Sequence, residues 1–113
     1  MKIIDFWGLK MQNLQHYARK FKDIKLEDFL LIDIRDTEDF QAAHIPQAIH
    51  ERDLTHIAQL ASQKPERNIL LYCYHGNTAA RYTAALLEIG LRNIYFLQEN
   101  IEEFSALGIP LES

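Results

Sequence analysis

Residues 69–88, ILLYCYHGNTAARYTAALLE, constrain this chain most. Ile69-Leu70-Leu71-Tyr72 is a short apolar run, the pattern of a strand covered on both faces. Cys73 follows, the only cysteine in 113 residues. Tyr74-His75-Gly76-Asn77-Thr78 then leads straight into an apolar-rich helical segment. A strand, a tight turn and a helix start, in that order, place Cys73 at the mouth of a cradle of main-chain N–H groups. Such donors, together with the positive end of a helix, favour anions and thiolates.

The rest of the chain supplies a scaffold for that turn. Ile3-Ile4-Asp5-Phe6 reads as a weak strand. Met11, Leu14, Tyr17, Ala18 and Phe21 recur at helical spacing and predict an amphipathic helix. Phe29-Leu30-Leu31-Ile32-Asp33 predicts a buried strand, and Asp36 suits the N-cap of a short helix reaching Ala43. Pro46 ends that helix, and Ala48-Ile49-His50 reads as a short strand. Asp53 caps a helix carrying Leu54, Ile57, Ala58 and Ala61. The helix after Cys73 runs from about 77 to 89 and stops at Gly90. Thr78, Arg81, Ala85 and Glu88 form one narrow polar edge on it, so most of it is expected to be buried. Ile94-Tyr95-Phe96-Leu97 is a further strand. Asn100 with Glu103 resembles a capping box for a last helix carrying Ile101, Phe104 and Leu107.

Strands alternating with helices predict an α/β domain: a mostly parallel central sheet of about five strands with helices on both faces. No repeat or linker divides the chain, so residues 1–113 read as one domain. Ligands of such folds sit outside the carboxyl ends of the strands. Cys73 lies at one such end, and Asp33 and Arg35 follow another.

Composition excludes several classes. The net charge of −4 and the lack of a basic stripe argue against nucleic-acid binding. The apolar runs are too short to span a bilayer, and the first residues lack a signal-peptide pattern. One cysteine permits no internal disulfide and fits a reducing compartment, so a cytoplasmic location is expected. One cysteine and scattered histidines give no metal-ligand spacing. A papain-type protease would need a longer chain with distant partner residues.

The turn itself carries the chemistry. Five successive N–H groups follow Cys73, and Gly76 allows a backbone angle other residues resist. The Thr78 hydroxyl can donate towards the sulfur, and His75 can meet an incoming anion. The expectation is a stabilised thiolate or a stabilised anionic adduct. The residues alone leave a second reading open, because free cysteine is among the most buried residue types and often has no role. Arg81 can attract anions or can be a solvated helix residue.

The turn Cys73-Tyr74-His75-Gly76-Asn77-Thr78 resembles the active-site loop of the rhodanese family, in particular the single-domain thiosulfate sulfurtransferases of the GlpE type. Leu31-Ile32-Asp33-Ile34-Arg35-Asp36, Ala43-His44-Ile45-Pro46-Gln47-Ala48 and Leu107-Gly108-Ile109-Pro110-Leu111 resemble three further family segments. The resemblance spans residues 26–111. It implies a ping-pong reaction in which Cys73 takes sulfur from thiosulfate as a persulfide and passes it to cyanide or a thiol. Residues 74–78 would cradle that persulfide, and Asp33, Arg35 and His44 would be structural near the site. No metal or organic cofactor is implied. Partners would be thiosulfate or another sulfane-sulfur donor and a thiol acceptor, either a small molecule or a thioredoxin-like protein.

The sequence departs from the family pattern in two places. Gln98-Glu99-Asn100 stands where a Gly-Gly is usual, and an acidic Glu99 near the catalytic face would weaken thiosulfate binding. Ala43 and Gln47 stand where GHIPGA has glycines, so a different turn is possible at Gln47. These changes keep an alternative in play, a rhodanese-like carrier or protein-binding module with little thiosulfate activity. Related phosphatases and arsenate reductases use a Cys-x5-Arg loop with a clamping arginine. Here Ala79 occupies that arginine position.

Overall fold

The computed structural model describes residues 14–113. The expected strand at Ile3–Phe6 and the start of the first helix at Met11 lie outside the described residues. Five strands form one sheet in the order β1-β5-β4-β2-β3, with every pair parallel. They are β1 (Ala18–Arg19), β2 (Phe29–Asp33), β3 (Ile49–His50), β4 (Asn68–Tyr72) and β5 (Ile94–Leu97). The helices are α1 (Thr37–Ala42), α2 (Leu54–Gln63), α3 (Asn77–Glu88) and α4 (Phe104–Leu107), with 3₁₀ turns at Phe21–Asp23, Leu26–Asp28 and Ile101–Glu103.

β4 is the centre of the sheet and its residues alternate between two cores. Ile69, Leu71 and Cys73 face a cluster with Ile57 and Ala61 of α2 and Ala79 and Leu86 of α3. Leu70 and Tyr72 face the opposite cluster with Ile45, Phe104 and Ile109. Ile69, Leu70, Leu71 and Tyr72 are all fully buried. Burying each such side chain contributes about 1.5–3 kcal/mol, so this strand anchors whatever follows it. Asp33 pairs in register with Tyr72 on one side and His50 on the other. That register brings the segments after β2, β3 and β4 to one end of the sheet.

Caps agree with the sequence in two cases. Asp53 accepts from the N–H groups of Thr55 and His56 at the start of α2. Asn100 and Glu103 form a reciprocal capping box. Asp36 occupies the cap position of α1 without a side-chain cap bond, because its carboxylate meets Arg52 instead. The helix ends short of Gly90, whose φ of +100° matches its role as a stop.

Two expectations are corrected. The helix predicted through Phe21 gives way to β1, because Ala18 and Arg19 pair with Phe96 and Leu97. The N–H groups of Phe96 and Gln98 bond to the carbonyls of Tyr17 and Arg19. Pairing the open edge of β5 outweighs local helical spacing. Helix α3 is less buried than expected. Only Ala79, Thr83 and Leu86 are buried, and Thr83 hides its hydroxyl by donating to the Ala79 carbonyl at 2.8 Å.

Candidate active site

The local sequence builds the site in three steps. Strand β4 ends at Tyr72 and carries Cys73 out at the carboxyl edge of the sheet. Gly76 then takes the left-handed conformation, with φ +81°, and forms the cap position of α3. A Cβ there would stand 3.1 Å from the Gln98 carbonyl oxygen and 3.3 Å from that of Leu97. Glycine is therefore required twice, by backbone angle and by space. The chain turns so tightly that the first turn of α3 points back at the sulfur.

Cys73 is 6% exposed, and its Sγ accepts a hydrogen bond from the Ala79 N–H at 3.3 Å. The donor is the sixth N–H after the cysteine, one beyond the five counted in the sequence. Among the described residues the bond to sulfur comes from this backbone group and not from the Thr78 hydroxyl. The alanine at the arginine position of phosphatase loops thus serves through its main chain.

A cavity of about 260 Å³ opens over the sulfur. Its lining includes Cys73, Tyr74, His75, Asn77 and Thr78, which the sequence had brought together. Arg35 joins them, while Arg81 is exposed and lies outside the lining. The rest of the wall includes Asp36, Asp39 and Arg52, residues that sequence reasoning missed as site groups. Arg52 precedes Cys73 by a whole βα crossover, so only the tertiary fold places it here. The volume suits a small ion better than a drug-sized molecule.

Asp33 and Arg35 form a buried pair. Arg35 Nε lies 3.0 and 3.1 Å from the two Asp33 oxygens, and Nη2 lies 2.7 Å from Oδ2. Nη2 also donates to the Ala43 carbonyl. Burial opposes the charge on Arg35, yet the Asp33 carboxylate outweighs it and holds the guanidinium above its ordinary range. This pair ties β2 to the loop after α1. His44 lies in that loop away from the cavity wall. Its Nδ1 meets the Phe40 carbonyl at 2.7 Å, its ring stacks on Phe40, and its backbone bridges Glu112.

Two tyrosines flank the cysteine differently. Tyr72 is fully buried and its hydroxyl accepts from the Ile45 N–H at 3.0 Å. Burial, and then the charge of Asp33, push its phenol well above the ordinary range. Tyr74 is 39% exposed. A hydrogen bond with Asp39 raises its phenol, with burial a lesser cause.

The departures read from the sequence resolve in place. Glu99 does not enter the cavity. Both its carboxylate oxygens accept from the Phe21 N–H at 3.1 Å, on the β1 side of the sheet. Gln47 takes a left-handed backbone, with φ +70°, a strained conformation for a residue with a side chain.

Comparison with known proteins gives a consistent result. The family described as Rhodanese-like domain matches residues 15–107. A thiosulfate sulfurtransferase GlpE of Pseudomonas savastanoi pv. phaseolicola is 29% identical over 77 residues, covering 68% of this chain and 73% of that protein. A thiosulfate sulfurtransferase GlpE of Vibrio cholerae is 26% identical over 83 residues, covering 74% and 78%. The solution NMR structure of a Helicobacter pylori 26695 protein superposes with a TM-score of 0.79 at 26% identity, covering 88% of this chain and 91% of that one. A Bacillus halodurans crystal structure gives a TM-score of 0.70 at 22% identity, covering 99% and 87%, a likeness of fold.

Proposed function

This chain belongs to the rhodanese-like domain family, and from that premise we propose that it is a sulfurtransferase with Cys73 as its nucleophile. The observation that carries the reading is the Ala79 N–H donated to Cys73 Sγ at the floor of a small cavity. A sulfur so placed is open to a small donor, and an anionic sulfur there meets a helix N-terminus and an N–H group.

The reaction runs in two displacements. The Cys73 thiolate attacks the outer sulfur of thiosulfate. A new S–S bond forms, the donor's S–S bond breaks, and sulfite leaves with the bonding pair. The Cys73 persulfide carries the negative charge on its terminal sulfur. Cyanide or a thiolate then attacks that sulfur, leaves as thiocyanate or a persulfide, and restores the Cys73 thiolate. No electron is gained or lost overall. The intermediate makes the scheme ping-pong, and loop 74–79 is its electrostatic cradle. Asp33 and Arg35 hold the loops in place, and His75, Asn77 and Thr78 contact the substrate. The acceptor is a thiol, small or carried by a thioredoxin-like protein. No helix among the described residues is long and apolar enough to cross a membrane. A lone free thiol suits a reducing compartment, so we place the protein in the cytoplasm.

Steady-state turnover of thiosulfate and cyanide tests the reading against Cys73→Ser. Wild type is expected to be faster by orders of magnitude, and equal rates would end it. Intact-mass analysis after exposure to thiosulfate is expected to show one added sulfur on wild type and none on Cys73→Ser.

A second reading is a persulfide carrier with little thiosulfate activity. Asp36 and Asp39 in the cavity wall favour it, since two carboxylates repel a dianionic donor. It predicts that a persulfide thiol loads Cys73 while thiosulfate does not.

A further inference from the structure

We propose that Arg52 is the anion-receiving residue of the Cys73 cavity, and so sets which sulfur donors the site accepts. The inference rests on the sulfur-transfer reading for the identity of the anion, but not for the reception itself.

Two guanidinium groups line the cavity, and only one is free to serve a ligand. Arg35 commits Nε and Nη2 to Asp33 and Ala43, and its side chain is only 3% exposed. Its charge is matched by a buried carboxylate. Arg52 differs in each respect. Its Nη2 lies 3.1 Å from Asp36 Oδ1, with side chains 56% and 68% exposed. An exposed pair of this kind is weak and exchanges readily.

The stem of Arg52 is fixed while its head can move. Its carbonyl accepts from the Tyr82 hydroxyl at 2.8 Å, which ties it to α3. Its N–H and that of Asp53 both donate to Glu51 Oε2 at 3.1 Å. Asp53 in turn caps α2. The Arg52 backbone is thus held at the rim by two helices, and its guanidinium is left to swing. An entering oxyanion can replace Asp36 on the same planar fork of donors, which suits carboxylate, sulfite and thiosulfonate oxygens alike. Without that exchange, an anion approaching Cys73 meets Asp36 and Asp39 with no cation released to receive it.

The test is the rate of Cys73 alkylation by iodoacetate, an anion, relative to iodoacetamide, which is neutral. Both reagents form an S–C bond and expel iodide, and this chain offers a single thiol. The ratio therefore reports how the cavity treats negative charge, whether or not the protein transfers sulfur. Arg52→Gln is expected to lower the ratio roughly two- to fivefold, the effect of losing one exposed charge contact. Arg52→Lys is expected to retain part of it, and Asp36→Asn to raise it severalfold by freeing Arg52. Arg81→Gln, outside the cavity, removes the same net charge and is expected to leave the ratio near wild type. An unchanged ratio in Arg52→Gln, or an equal fall in Arg81→Gln, overturns the proposal. The reverse order among variants is expected in KM for thiosulfate, highest in Arg52→Gln and lowest in Asp36→Asn, with benzenethiosulfonate, a monoanion, less affected. Loss of sulfur transfer in the wild type would refute the function proposed above while leaving the alkylation ratio to decide the role of Arg52.

Discussion

Gly76 packs its α-carbon against the backbone of Gln98, leaving 3.1 Å between the Gln98 carbonyl oxygen and any added Cβ. The opposing atoms belong to the end of β5 and cannot swing aside as a side chain would. At φ +81° a non-glycine residue also carries about 1–2 kcal/mol of backbone strain. Gly76→Val is expected to displace the loop, lose sulfur transfer and lower stability by a few kcal/mol, with the sheet retained. Urea denaturation and circular dichroism, read beside the thiosulfate assay, check this. Full activity in the variant would mean the loop does not depend on the turn.

Tyr72 joins the central strand to the segment after α1 through the Ile45 N–H. Replacing it with Phe keeps the ring but strands a buried donor. The expected loss is about 1–3 kcal/mol in urea denaturation. A neutral outcome would mean the Ile45 N–H finds another acceptor.

Gln47 offers the opposite change. Relief of its left-handed strain outweighs the extra freedom glycine brings to the unfolded chain. Gln47→Gly should therefore stabilise the fold by about 0.5–1 kcal/mol. A thermal melt showing a lower midpoint would contradict the strain argument.

Asp33→Asn leaves the Arg35 guanidinium buried with a neutral partner. Breaking a buried pair from one side costs about 3–5 kcal/mol. Denaturant midpoints should fall accordingly, and Arg35→Met in the same background should recover part of the loss. A small effect in the single variant would place the pair in wetter surroundings than its burial indicates.

The Tyr74 phenol supplies a pH signature. Its hydrogen bond with Asp39 favours the protonated form, so its titration lies above the ordinary tyrosine value. A raised group contributes stability below its unfolded pKa, and that contribution is lost as pH rises through the folded one. Ultraviolet difference titration should show Tyr74 ionising late in wild type and earlier in Asp39→Asn. Coincident titrations would remove Asp39 as its partner.

Much of this was legible in residue order. The Cys73 turn, the Asp53 cap and the Asn100–Glu103 box depend on neighbours within a few positions, and local rules reach them. The predicted sheet and its helices follow from apolar runs and their spacing. What escaped was set by contacts across the fold. Ala18 and Arg19 carry helical spacing but serve as an edge strand for Phe96 and Leu97. Glu99 looks like a site residue by position, yet its carboxylate turns to Phe21. Arg52 has no motif around it, and it reaches the cavity only because β2, β3 and β4 end level.

The single cysteine has a consequence for redox chemistry. A thiol with no second thiol in its own 113 residues cannot resolve a sulfenic acid by closing an internal disulfide. Within these 113 residues an oxidised Cys73 finds no second thiol to return it to service. Resting as a persulfide would make the outer, replaceable sulfur the first atom an oxidant meets. On the proposed sulfur-transfer reading, a thiol acceptor of that sulfur is also a molecule able to repair the protein.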